Sequence, residues 1–106
     1  MWQVEFLNLV AKAEVDSLPL DLRASFERIA GVIRDLGLER MREPYVKHVE
    51  GKLWEMRLKG RDGIARSLYV TASGRRVVVL RTFVKKTEKA PRREIELALE
   101  RAKELR

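Results

Sequence analysis

The chain has 106 residues, enough for one domain spanning 1–106 around a modest core and too few for two. Charged residues make up 37% of it, against about a quarter in an average protein, beside an ordinary 45% of hydrophobic ones. Lys and Arg outnumber Asp and Glu by 23 to 16, a net charge of +7 that favours a polyanionic partner, and the absence of cysteine excludes disulfides and cysteine-ligated metal sites.

Trp2 to Leu7 reads as a short strand, with Trp2, Val4 and Phe6 on one face. Asn8 is a suitable N-cap for a helical stretch over Leu9 to Asp16. A second helix starts near Pro19, and Leu22, Phe26, Ile29, Ile33 and Leu36 form one apolar stripe along it before Gly37 ends it. The two helices are expected to pack as a hairpin against a sheet. Arg40 to Gly51 reads as a connection carrying Tyr45, Lys47 and His48.

From Leu53 to Lys59, Trp54, Met56 and Leu58 alternate with Glu55, Arg57 and Lys59, the cleanest strand pattern in the chain. The turn GRDG over 60–63 leads to a strand over Ile64 to Ala72, and Ser73-Gly74 leads to another over Arg76 to Val84. In the last of these, Val78, Leu80 and Val84 are expected on one face and Val77, Val79, Arg81, Phe83 and Lys85 on the other. Pro91 then opens a helix with Ile95, Ala98, Leu99, Ala102 and Leu105 as its apolar stripe. Its first turn carries Arg92 and Arg93, the wrong sign for the helix dipole, which suits an anion site. The predicted class is α+β: an N-terminal strand, a two-helix hairpin, a three-stranded antiparallel meander and a C-terminal helix.

The apolar runs are short, and MWQVEFLNLV runs into Lys12 and Glu14, so neither a signal-peptide core nor a membrane span is expected, and the default location is cytoplasmic. With His48 as the single histidine, a His-rich metal site is excluded, and no GxGxxG or Walker-type loop is present. No cofactor is expected. Ser17, Ser25, Ser67 and Ser73 stand in no nucleophile-elbow sequence.

The remaining chemistry lies in the cations Lys47, Lys52, Arg57, Lys59, Arg66, Arg81, Lys85 and Lys86. Arg66 shares its parity with Ile64, Leu68 and Val70, and Arg81 stands between Val79 and Phe83, so each must be paired or face a cleft. If the helical hairpin covers the more apolar face, then Arg57, Arg81 and Lys85 share the other with Phe83, whose ring offers a stacking surface for a base. The competing reading pairs these cations with Glu55, Glu88 and Glu94 and gives them no further role.

Several stretches carry a resemblance. Pro44-Tyr45-Val46-Lys47, Leu53-Trp54-Glu55-Met56-Arg57, the RSLY of 66–69, Phe83-Val84-Lys85-Lys86-Thr87, and Pro91 leading Glu94, Ile95 and Ala98 into a helix stand in one order. Together they resemble the phage-derived, HigB-like branch of the RelE/ParE toxin superfamily. The resemblance implies a RelE-like fold and a toxin of a type II toxin–antitoxin module. It implies an endoribonuclease that cuts mRNA on the ribosome, and a helix-turn-helix antitoxin as partner. By position Arg57, Arg66 and Lys86 match the basic residues of RelE-type ribonucleases around the scissile phosphate, with Lys85 and Arg81 beside them. The last helix lacks the tyrosine of the RelE pattern, and the C-terminal histidine and aspartate of other HigB toxins are missing too. Lys52 and Lys86, with Glu55 and His48 as competitors, are the candidates for proton transfer. Lys47, Arg92 and Arg93 complete the expected phosphate contacts. A ParE-like inhibitor of DNA gyrase, or an inactive member that only docks an antitoxin, are the alternatives.

Overall fold

The structure, a computed structural model, describes residues 1–61, 63–86 and 90–105. In chain order the elements are β1 (Gln3–Phe6), α1 (Leu9–Asp16), α2 (Leu20–Leu36), a 3-10 turn (Leu38–Arg40), β2 (Val46–Glu50), β3 (Leu53–Lys59), β4 (Ile64–Ala72), β5 (Arg76–Lys85) and α3 (Arg92–Ala102). The strands form one sheet in the order β1-β5-β4-β3-β2. β1 pairs with β5 in parallel, and β2 to β5 run as an antiparallel meander. The class is α+β, as the sequence predicts.

One strand departs from expectation. Val46–Glu50 pairs with β3 at the edge of the sheet, where the sequence pattern suggests only a connection. Of its five residues only Val46 is buried, so the apolar alternation that marks a strand is nearly absent from it.

The sheet separates two cores. On one face α1 packs Val15, and α2 packs Leu22, Phe26, Ile29 and Ile33, against Met56, Leu58, Tyr69, Val77 and Val79. Each of these large side chains contributes roughly 1.5–3 kcal/mol when fully buried. The end of the predicted stripe departs from this, because Leu36 lies in the last turn of α2 and is exposed. Trp54, in phase with the buried Met56 and Leu58 and so expected beside them, is 39% exposed next to a groove that it lines with Leu38 and Met41, and its ring meets His48 edge-on at 5.2 Å. On the opposite face α3 packs Ala98, with Ile95 and Leu99, against Leu53, Leu68, Val70, Val78 and Leu80.

Local chemistry sets the helix ends. The Asn8 Oδ1 accepts the amide of Ala11 at 2.9 Å, capping α1. Gly37 closes α2 at φ 97° and ψ 150°, a conformation essentially reserved for glycine.

β5 breaks the predicted alternation. Leu68 lies opposite Arg81 but Tyr69 lies opposite Val79, so Leu80 is the extra residue of a β-bulge. The bulge lets Val77 and Val79 join the helical-hairpin core while Val78, Leu80 and Phe83 join the α3 core. The expectation that Val79, Arg81 and Phe83 share a face therefore fails at Val79.

Candidate nucleic-acid interface

The antiparallel registers place charged residues of neighbouring strands side by side. Arg57 of β3 pairs with Arg66 of β4, which pairs in turn with Phe83 of β5. The next row toward the strand ends is Lys59, Ile64 and Lys85, and the row on the other side is Lys47, Glu55, Leu68 and Arg81. Lys86 follows directly on the end of β5 and is exposed. Adjacent strands lie about 4.8 Å apart, so these rows form one continuous patch on the face that carries α3.

Two arginines directly opposite each other repel. Here the Glu55 carboxylate sits with them: its Oε2 lies 3.4 Å from the Nε of Arg57 and 3.4 Å from the Nε of Arg66. Arg66 also donates from Nη1 to the carbonyl of Ala65 at 3.0 Å. Arg66 and Glu55 are 5% and 7% exposed, so their charges meet in a partly dry hollow where each acts more strongly than in water, and Lys85, 6% exposed, stands in the next row. Arg57 is more open and forms its mouth.

Other predicted residues stand elsewhere. Arg81 is engaged with acids: its Nε and Nη2 donate to the two oxygens of Glu94 at 2.8 and 3.1 Å, and its Nη1 reaches Glu14 at 2.8 Å. These bonds, Glu94 first, hold its guanidinium above its ordinary pKa. That makes Arg81 a tie between α1, β5 and α3, which corrects its expected place among the phosphate ligands. Phe83 is 7% exposed and packed in the α3 core, so its face is closed to a base and the expected stacking surface is absent there.

Lys52 lies in the β2–β3 turn, five residues before Arg57 and so about 17 Å away along an extended strand. His48 pairs with Trp54 and thus shares the face of α2, across the sheet from Arg57, with its Nε2 held 2.7 Å from the carbonyl of Gly51. Neither joins the hollow, which corrects their expected part in proton transfer. Arg92 is bound bidentately to Glu50 at 2.5 and 3.2 Å and reaches Glu96 at 3.3 Å. It joins α3 to the edge strand and does not stand free as an anion site. Arg93 is exposed, and Lys47 is exposed opposite Glu55. The expected pairing through Glu88 lies outside the described residues.

The competing reading of the sequence offers Glu94 as a partner, and Arg81 is found on it, but sequence reasoning missed Glu14. Glu14 accepts from Arg101 at 2.9 Å and from the amide of Thr82 at 3.2 Å, and Arg101 also donates to the carbonyl of Leu80 at 2.8 Å. Burial raises the pKa of Glu14, but the hydrogen bonds from Arg101, Thr82 and Arg81 outweigh it and hold the carboxyl below the ordinary glutamate range. No signal in the chain marks a pairing of residues this far apart in sequence.

Three comparisons bear on this geometry. Residues 13–103 match the family described as phage derived protein Gp49-like (DUF891). The fold is similar to that in the crystal structure of the archaeal RelE–RelB complex from Pyrococcus horikoshii OT3, with a TM-score of 0.54 and 22% identity over 84% of this chain and 98% of that one. No curated protein matches in sequence.

Proposed function

The chain belongs to the phage-derived Gp49-like family, and from that premise we propose that it is the toxin of a type II toxin–antitoxin module, an endoribonuclease that cleaves mRNA on the ribosome and is neutralised by a helix-turn-helix antitoxin. The observation that supports this best is the cross-strand pair Arg57 and Arg66 around the buried Glu55, with Lys85 in the next row.

The reaction uses the substrate's own 2′-hydroxyl. Its oxygen bonds to the adjacent phosphorus, the bond from phosphorus to the 5′ oxygen breaks, and a 2′,3′-cyclic phosphate and a free 5′-hydroxyl result. Negative charge grows on the phosphoryl oxygens as this happens. Arg57 and Arg66, fixed on rigid strands and held by Glu55, offer donors to that charge without having to reorganise. Glu55 takes the proton of the 2′-hydroxyl, and the exposed ammonium of Lys86 returns one to the 5′ oxygen. Removal of one such preorganised donor costs about 100–1,000-fold in rate, and loss of a proton-transfer group about 100–10,000-fold.

A translation extract programmed with a defined mRNA tests the reading. New 5′ ends should form only with translating ribosomes. They should fall by about 100-fold or more in Arg57→Ala and Arg66→Ala, and likewise in Glu55→Gln, with thermal unfolding of each variant as the control for folding. Uncut message together with gyrase-linked DNA breaks would replace this reading with that of a ParE-like inhibitor. Uncut message without breaks would leave a protein that only docks its antitoxin.

A further inference from the structure

Two grooves run along the edge of the sheet between α2 and the segment entering β2. One, of about 210 Å³, is lined by Ser25, Arg28, Tyr45, Arg57 and Lys59. The other, of about 310 Å³, is lined by Arg28, Val32, Arg40, Met41 and Tyr45. Each exceeds the roughly 30 Å³ of a water molecule several times over, so each admits a larger group. They share Arg28, Ile29 and Tyr45 and so form one track, which begins at Arg57 and leads away from the hollow.

The lining has a defined chemical character. Among the described residues it carries four cations, Arg57, Lys59, Arg28 and Arg40, and no carboxylate. The last three are exposed and form no ion pair with any described residue. Between them stands Tyr45, 55% exposed, whereas Tyr69, Phe26 and Phe83 are buried. A row of cations interrupted by one open aromatic ring on an apolar floor suits a single nucleic-acid strand, which presents phosphates at intervals and unstacked bases between them. An acidic peptide would use the charges and leave the ring unexplained.

We propose that this track binds the single-stranded RNA flanking the scissile linkage, with one base stacked on Tyr45 and the neighbouring phosphates met by Arg28 and Arg40. The proposal rests on the nuclease reading for the position of the linkage at Arg57. It adds a recognition site outside the reacting atoms. Duplex RNA has no free base face to offer Tyr45, so the track selects single strands.

The test is binding of a fluorescein-labelled single strand of about 10 nucleotides, inside the usual site size, with 2′-O-methyl sugars that prevent cleavage. Tyr45→Ala should weaken it about 5- to 150-fold, the range for loss of one stacked base, whereas Tyr45→Phe keeps the ring and stays near wild type. The double variant Arg28→Ala, Arg40→Ala should lower the slope of log affinity against log salt by about 1.4, near 0.7 for each phosphate no longer neutralised on a single strand. All three positions are exposed, so unchanged unfolding midpoints are expected. Wild-type affinity and slope in these variants would overturn the track while leaving cleavage through Arg57 and Arg66 intact. Equal weakening of a duplex probe by Tyr45→Ala would overturn the stacked base. Binding that depends on Tyr45 in a protein that never cuts mRNA would keep the track and end the nuclease reading.

Discussion

Glu14 is a single carboxylate on α1 that holds an arginine of β5, an arginine of α3 and a backbone amide at once. Because its folded pKa lies below its unfolded one, the stability it contributes is fully present above the ordinary glutamate value of about 4.3 and is lost as pH falls through its folded value. Glu14→Gln should therefore lower stability by about 2 kcal/mol at neutral pH, the scale of a charged hydrogen bond. The gap to wild type should close as pH falls below the ordinary glutamate range, measured by denaturant midpoints on both sides of it. A gap that stays constant would mean that the charge of Glu14 contributes nothing. At this scale the sequence identifies that a residue is special but not what it meets. Arg66 and Arg81 both stand out as arginines among apolar neighbours, yet Arg66 lies in the hollow with Arg57 and Arg81 is saturated by Glu14 and Glu94. Glu55 and Glu94 are among the acids the sequence offers these cations, but which acid meets which arginine, and the part of Glu14 from α1, no local pattern encodes.

Elements with strong periodicity read directly from the chain. Leu22, Phe26, Ile29 and Ile33 at helical spacing, or Met56 and Leu58 at alternate positions, are placed by burial alone, and each is found in the predicted core. β2 and the bulge at Leu80 escape such reading because neither leaves an apolar period: an edge strand buries one residue in five, and a bulge is an interruption of the period itself. Without the extra residue, Arg81, Phe83 and Lys85 would turn to the opposite face of the sheet and the hollow would lose its β5 wall, so the missed feature positions the site. Gly37 reads as a stop from the sequence, and its backbone explains why. An alanine there would have to adopt a conformation essentially closed to side-chain-bearing residues, and its Cβ would lie 2.5 Å from the Oε1 of Glu39, displacing the carboxylate that accepts from the Trp2 indole. Gly37→Ala should cost about 1–3 kcal/mol in equilibrium unfolding. A neutral outcome would show that the link between α2 and the 3-10 turn relaxes freely.

The whole molecule carries a net charge of +7. The face that holds α3 gathers Arg57, Arg66, Lys85 and Lys47 in adjacent rows, and the α2 edge continues with Lys59, Arg28 and Arg40. The total is legible from composition and the anionic partner class with it. The alignment of these cations in adjacent rows is not, because it depends on strand register. A field of this sign steers anions toward that side, and the same field acts on an antitoxin as on RNA. The proposed antitoxin should therefore meet this face with acidic residues, and charge should enter chiefly through the rate of encounter. Association measured by stopped flow should slow by about 10-fold or more as salt rises from about 0.05 to 0.5 M, over which screening shortens from roughly 14 to 4 Å, while dissociation changes little. Arg28→Ala with Arg40→Ala should flatten that dependence, since both cations are exposed and belong to the field without touching the hollow. An association rate indifferent to salt would mean that the antitoxin approaches from another side and recognises the fold through apolar contact, leaving the basic face for RNA alone.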